Sequence, residues 1–277
     1  MKFLYSLVYV LLMQQVLFAQ SYDKISIDFK NDVLFNKDKD YTAGVELAYK
    51  NKNSDYTYYF GQDIYTPEDK ESFVPLNGEH PYGAWLYIGA SKQIEFNKYI
   101  QSDIKFTIGT VGKNAKGQSI SNELHNIIGA SQENGWDSQV DKSVGFNFNL
   151  ITYYSKLNKQ YDNTTIKPYL KIDAGNLFMD VGLGLSIKNT INETFDIYLN
   201  GEVKYVDKNI FLDGSSKEYG TLYAVEKEDY VNSLTIGLQT KYFKNHILTF
   251  ETIFNSKEYK TQSSNNNYNM IKLEKKF

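Results

Sequence analysis

From Tyr41 to Lys50 apolar and polar side chains alternate without a break: Tyr41, Ala43, Val45, Leu47 and Tyr49 fall on one face, Thr42, Gly44, Glu46, Ala48 and Lys50 on the other. A period of two is the spacing of a β-strand, here with an apolar band bracketed by tyrosines and backed by a polar face. Phe195 to Val206 repeats it, setting Phe195, Ile197, Leu199, Val203 and Tyr205 against Asp196, Asn200, Glu202 and Lys204. Lys167 to Asp173 does the same, alternating Lys167, Tyr169, Lys171 and Asp173 with Pro168, Leu170 and Ile172. Carried along the chain, the pattern predicts strands over 24–35, 41–50, 55–65, 85–94, 99–111, 142–156, 164–175, 178–189, 194–213, 220–243, 246–259 and 267–277. That is about twelve, an even number, as single-chain barrels prefer.

The connectors alternate in length. Asn51 to Ser54, Glu95 to Lys98, Thr190 to Glu193 and Lys244 to Asn245 are short, whereas Thr66 to Ala84 and Gly112 to Asp141 are long. Alternation alone fits a soluble sandwich, polar face outward, as well as a membrane barrel, apolar face outward. The tyrosine brackets favour the barrel, and so does a C-terminal segment, Asn267 to Phe277, that ends on an aromatic residue. Short turns of such barrels are periplasmic and long loops extracellular. An up-and-down count from a periplasmic N-terminus therefore puts 31–41, 66–84, 112–141, 214–219 and 260–266 outside.

One long connector breaks the pattern. Ile120, Leu124, Ile127 and Ile128 fall at i, i+4, i+7 and i+8, the stripe of a short amphipathic helix with Ser119 as N-cap and Gly129 as stop. The stripe is expected to dock on the scaffold, with His125 at its edge and Ser121 one turn earlier on the same side.

Composition sharpens the class. Aromatic residues make up 16% of the chain, with 24 Tyr and 17 Phe against 4 Pro, as aromatic-girdled strands require. Met1 to Ala19 carries a single Lys2 and then an apolar run, the layout of a secretory signal peptide, leaving 20–277 as one barrel domain. Losing Lys2 takes the formal charge from −3 to −4, which argues against a nucleic-acid partner. With no cysteine there is neither a disulfide framework nor a lipoprotein anchor. No later apolar run approaches the ~20 residues of a membrane helix, so strands must do the spanning.

Candidate chemistry is confined to one end. The chain has no G-x-S-x-G elbow, HExxH helix or paired CxxC. Of three histidines, His246 falls in a predicted short turn, leaving His80 and His125 at the long-connector end with Asn31, Asp32 and Thr42. A carboxylate and an amide oxygen are hard ligands that suit Ca²⁺, and a neutral imidazole nearby can deprotonate water. Alternation poses a difficulty, since Asn31 has the outward parity of Ile25, Ile27 and Phe29 while Asp32 and Thr42 have inward parity. A bulge or a strand end near Asn31 would resolve it.

The segments NDVLF (Asn31 to Phe35), DYTAG (Asp40 to Gly44), GQDIYTP (Gly61 to Pro67), PYGAWLYIG (Pro81 to Gly89), GWDSQ (Gly135 to Gln139) and VDKNIFLDG (Val206 to Gly214), with the His125 helix between, together resemble the lipid A 3′-O-deacylase family, LpxR type. The resemblance covers essentially all of the mature chain. It implies a twelve-stranded outer-membrane barrel that uses Ca²⁺ to hydrolyse the ester of the 3′-linked acyloxyacyl group of lipid A in the outer leaflet. It further implies His125 as general base, Asp32 as metal ligand, and Asn31 and Thr42 in the catalytic constellation, in a protein expected to act as a monomer. Two departures stand out: Ser121 where the family can place a glutamine, and Glu79-His80-Pro81-Tyr82 where many members read Asp-Arg-Pro-Tyr. Lys70 is the candidate for a family lysine in the second long connector. The alternatives are a phospholipase-like acyl hydrolase on the same residues and a non-enzymatic porin or structural barrel.

Overall fold

The computed structural model describes residues 22–32, 35, 39–128, 133–141, 143–214, 223–241 and 245–277; the expected signal peptide, 1–19, lies outside them, as does Gly129. The strands are β1 (Tyr22–Asn31), β2 (Asp40–Asn51), β3 (Tyr56–Thr66), β4 (Gly83–Asn97), β5 (Ile100–Val111), β6 (Ser143–Tyr154), β7 (Lys159–Tyr161), β8 (Thr164–Gly175), β9 (Phe178–Thr190), β10 (Phe195–Asn209), β11 (Tyr230–Lys241), β12 (His246–Asn255) and β13 (Asn267–Lys276). Each pairs antiparallel with its sequence neighbours, and β1 pairs with β13. The three-residue β7 pairs only with β8, while β6 pairs directly with β8 and closes the ring, giving a closed twelve-stranded antiparallel barrel. Closure removes the sheet edges, which hydrocarbon cannot satisfy. The α-helix α1 (Gly117–Ile128) lies in the connector after β5.

Parity sorts the two faces. Val45, Leu47, Tyr58, Phe60, Ile88, Ile108, Val144 and Leu183 are exposed on the outside of the ring. The inside is polar and paired: Lys105 meets Glu46 at 2.6 Å, Lys272 meets Asp28 at 3.2 Å, Lys171 meets Glu202 at 3.4 Å and Lys204 meets Asp180 at 3.0 Å. The hydroxyl of Tyr87 also donates to Glu46, at 2.8 Å. These charges and tyrosines surround an inner cavity of about 410 Å³ lined by Lys30, Tyr153, Lys171, Glu202, Glu251 and Tyr268 among others.

At the long-connector end the interior turns apolar. Trp85, Tyr87, Val111, Val140, Leu177 and Phe211 form a buried cluster with Tyr65, Phe178 and Ile210 against it. Phe211, from the connector after β10, stacks on Tyr65 with ring centroids 4.0 Å apart. Outside, tyrosine pairs mark both ends of the wall, Tyr49 with Tyr58 and Tyr99 with Tyr154 at the short-turn end and Tyr205 with Tyr230 at the other, as an interfacial girdle requires.

The expected strands and the observed ones agree to within a few residues, except that β1 stops at Asn31 rather than 35, β10 at Asn209 rather than 213 and β12 at Asn255 rather than 259, that β11 starts only at Tyr230, and that the short β7 is not among those expected.

The inner charge pairs generate a stability prediction. Glu46→Leu leaves the Lys105 ammonium inside the ring without its carboxylate and should destabilise the barrel by roughly 3–5 kcal/mol, whereas Glu46→Leu with Lys105→Leu should recover most of that loss. Denaturant midpoints followed by heat-modifiable gel migration measure both; equal midpoints for the single and double variants would refute the pairing.

Candidate active site

The site is built on the outside of the wall. On β3, Gln62, Ile64 and Thr66 share the outward parity of Tyr58 and Phe60, yet all three are buried. On β4, Ala84 and Leu86 share the parity of exposed Ile88 and are likewise covered. Their cover is the connector between β5 and β6: Ala115 and Trp136 pack with Ile64, Tyr82 and Ala84 in one buried cluster, and the Gln62 side-chain amide donates to the Ala115 carbonyl. Gly117 makes the close approach possible, because a Cβ there would sit 2.5 Å from Ala84 Cβ and 2.9 Å from the Trp136 ring.

The helix docks on a different face from the one its apolar stripe indicates. Gly117, Ser121 and His125, at i, i+4 and i+8, are buried, whereas Ile120 is 40% exposed and Leu124 is half-buried. The buried face is turned roughly 75° round the helix from the direction of the expected stripe, of which the side chains of Ile127 and Ile128 lie outside the described residues. Ser119, expected as N-cap, is an exposed residue inside the helix, which starts at Gly117. The polar face docks because a partner waits for it: the Ser121 hydroxyl donates to Glu133 Oε2 at 2.6 Å, as does Trp136 Nε1 at 2.8 Å, and Lys70 Nζ donates to Glu133 Oε1 at 3.0 Å. Burial works against the charged form of Glu133. The Lys70 ammonium, with hydrogen bonds from Ser121, Lys70 and Trp136, outweighs it and holds the carboxyl below the ordinary glutamate range.

From Glu133 the chain of contacts runs to the strands. Lys70 also donates to the Thr66 hydroxyl, Thr66 shares a hydrogen bond with the Thr42 hydroxyl at 2.5 Å, and Asn31 Nδ2 donates to the Thr42 carbonyl at 3.0 Å. Thr42 has left the inward parity expected of it. Tyr41 pairs with Tyr65 and Ala43 with Ile64, so Thr42 is the extra residue of a β-bulge, and its hydroxyl meets the outward-facing Thr66. Asn31 keeps its outward parity as the last residue of β1, which ends there, and so both resolutions of the parity conflict are present. Asp32, just past the strand, is buried and accepts the Lys39 backbone N–H at 3.0 Å.

Three of the residues singled out from sequence are therefore in one hydrogen-bonded chain or its direct support: Asn31 and Thr42 touch, and the His125 helix joins them through Ser121, Glu133, Lys70 and Thr66. Ser121, though shorter than a glutamine, reaches Glu133. His80 serves elsewhere, buried with Nε2 3.5 Å from Asp40 and Nδ1 2.8 Å from the Pro81 carbonyl; the Tyr259 hydroxyl donates to Asp40 at 3.0 Å. Asp40 has a left-handed backbone (φ 63°), and this contact pins it two residues before the bulge. Glu133 and Thr66 were not singled out, since a lone glutamate in a polar loop and a threonine at a strand end carry no spacing signal.

Among the described residues no group of three His, Cys, Asp or Glu side chains converges as a metal site. The polar groups at the end of β1 and the facing bulge of β2 are oxygen donors, namely the Asp32 carboxylate, the Asn31 amide, the Thr42 hydroxyl and backbone carbonyls. That chemistry fits a hard cation held by one carboxylate and neutral oxygens, and not a soft metal.

A family model described as "Outer membrane protein LpxR" matches residues 4–277. Among solved structures, LpxR from Salmonella typhimurium superposes with a TM-score of 0.79 at 21% identity, covering 92% of this chain and 100% of that one. The KdgM porin reaches a TM-score of only 0.46 at 10% identity, over 92% of this chain and 99% of that one, too low to carry an argument. No curated protein matches.

The carboxylate at the centre of this network yields a prediction. Glu133→Ala should free α1 from the wall, raising amide hydrogen exchange across 117–128 by tenfold or more while the strand amides stay protected. Because the folded pKa of Glu133 lies below its unfolded value, its charge supports docking above pH ~4.3 and loses that effect as pH falls through the lowered value. Exchange in 117–128 should therefore rise selectively in acid; uniform protection in the variant would contradict the role.

Proposed function

The chain belongs to the LpxR family of outer-membrane proteins, and on that membership we propose that it is a Ca²⁺-dependent lipid A deacylase, hydrolysing the ester of the 3′-linked acyloxyacyl chain with its site turned to the cell exterior. The observation that carries this reading is the location of the site: Asn31, Thr42 and the His125 helix are tied together on the outer surface of the wall, where a lipid of the outer leaflet reaches them sideways without entering the barrel.

In this reading the His125 imidazole takes a proton from water as the water oxygen attacks the ester carbonyl carbon. The bond from that carbon to the sugar oxygen then breaks, the proton passes to the sugar oxygen, and the free acyloxyacyl acid leaves. Asn31 and Thr42 orient the carbonyl, and Asp32 would hold Ca²⁺, which when bound supplies positive charge for the developing oxyanion. Glu133 and Lys70 position the helix, and with it the base. The porin alternative is disfavoured by the apolar cluster around Phe211 and Tyr65, which packs inside the ring at the long-connector end where a polar channel would open.

Turnover of purified, detergent-folded protein on lipid A tests the assignment. His125→Ala should lose about 10²–10⁴-fold with heat-modifiable migration unchanged, and His80→Gln less than tenfold. Chelation with EDTA should silence the native protein, and Asp32→Ala should be silent without chelator. Activity that survives both chelation and Asp32→Ala would remove the metal, and loss confined to the His80 variant would remove His125 as base.

A further inference from the structure

Beside the site, the connector between β3 and β4 turns a corner of large apolar side chains into the open. Phe73 is 73% exposed, Val74 49% and Leu76 51%, while Pro75 between them is buried. Among the described connector residues at this end, the only other large apolar side chain left exposed is Ile120 of α1, on the flank turned away from the wall. Three such residues in four positions form a patch that water does not favour.

The backbone of this segment is fixed to the outside of the barrel. The carbonyls of Lys70, Glu71 and Phe73 accept hydrogen bonds from Asn134 N at 3.1 Å, Asn134 Nδ2 at 2.9 Å and the Ser138 hydroxyl at 2.9 Å. The residue between these partners is Trp136, which is buried on Ile64 and Ala84 of the outer wall. The corner therefore sits over the lateral surface, at the end of the wall whose exposed apolar belt includes Ile88, and buried Pro75 anchors its middle.

We propose that Phe73, Val74 and Leu76 form a foot immersed in the hydrocarbon of the outer leaflet, the occupant being the acyl chains of the lipids that surround the barrel. The inference rests on the outward-facing orientation given above and adds to it a contact surface. The foot anchors the connector just beyond the Lys70–Glu133 contact in the leaflet, so that a lipid ester reaches the His125 helix from the membrane itself. Glu68, Asp69 and Glu71, before the apolar corner, stay at headgroup level, the arrangement of an interfacial segment.

The absence of cysteine makes the test direct. Phe73→Cys and Leu76→Cys are made singly, labelled with an environment-sensitive fluorophore and reconstituted into vesicles of phosphatidylcholine brominated on its acyl chains. Labelled Ile88→Cys serves as the lipid-facing reference and labelled Asn114→Cys as the aqueous one. Bromolipid quenching at 73 and 76 of at least half that at 88, with iodide quenching well below that at 114, is the expected result. Quenching by iodide at the level of 114, or by neither agent, would overturn the proposal, the second outcome indicating a protein surface as the occupant. No arm depends on catalysis, so an inactive enzyme with strong bromolipid quenching would discard the deacylase reading and leave the foot standing.

Discussion

Glu133 is the joint on which the outer face depends. Its carboxylate is buried against the exterior of a barrel, where an unpaired charge would be costly, and three donors converge on it from three segments: Ser121 from the helix, Lys70 from the connector after β3 and Trp136 from its own strap. Lys70 passes the constraint to Thr66, and Thr66 to the bulged Thr42. A helix of twelve residues is marginal alone, and its orientation here is set by these bonds more than by its apolar stripe. Remove the carboxylate and the helix that carries His125 loses the bonds that hold it on β3 and β4.

The barrel supplies what the joint pushes against. Its wall is uniform because closure in hydrocarbon demands a complete ladder, and its interior is braced by ion pairs such as Glu46–Lys105 and Asp180–Lys204. Functional variation is left to the ends of the strands. At one end Phe211, Tyr65 and their neighbours pack as a buried apolar cluster inside the ring. The candidate site lies on the outer surface at the same end, where a bulge in β2 turns a hydroxyl out of the interior and a strand terminus frees the Asn31–Asp32 pair from strict alternation.

The strands were legible in the sequence because hydrocarbon outside and charge inside enforce a period of two over ten or more residues. The bulge was not, since one inserted residue in Asp40 to Gly44 leaves the alternation around it intact and shows only in the pairing of Tyr41 with Tyr65 and Ala43 with Ile64. The helix was legible as an element, and its docking face was misread for a physical reason. In a soluble protein the apolar stripe seeks the core, whereas here the surface it meets offers a buried carboxylate, and Ser121 turns toward it, burying His125 on the same face. Asn31, Asp32, Thr42 and His125 are candidates by their place at one end and by family resemblance. Glu133 and Thr66 became visible only once the fold had brought them between those residues.

The central claim is that this outer-face site cleaves one ester of lipid A, and mass spectrometry of lipid A from cells with and without the protein addresses it most directly. The account predicts a species lighter by one whole acyloxyacyl group, absent when His125 is replaced by alanine in an equally abundant, heat-modifiable barrel. Unchanged lipid A in cells that carry the folded native protein, assayed again after extraction with Ca²⁺ present, would contradict it.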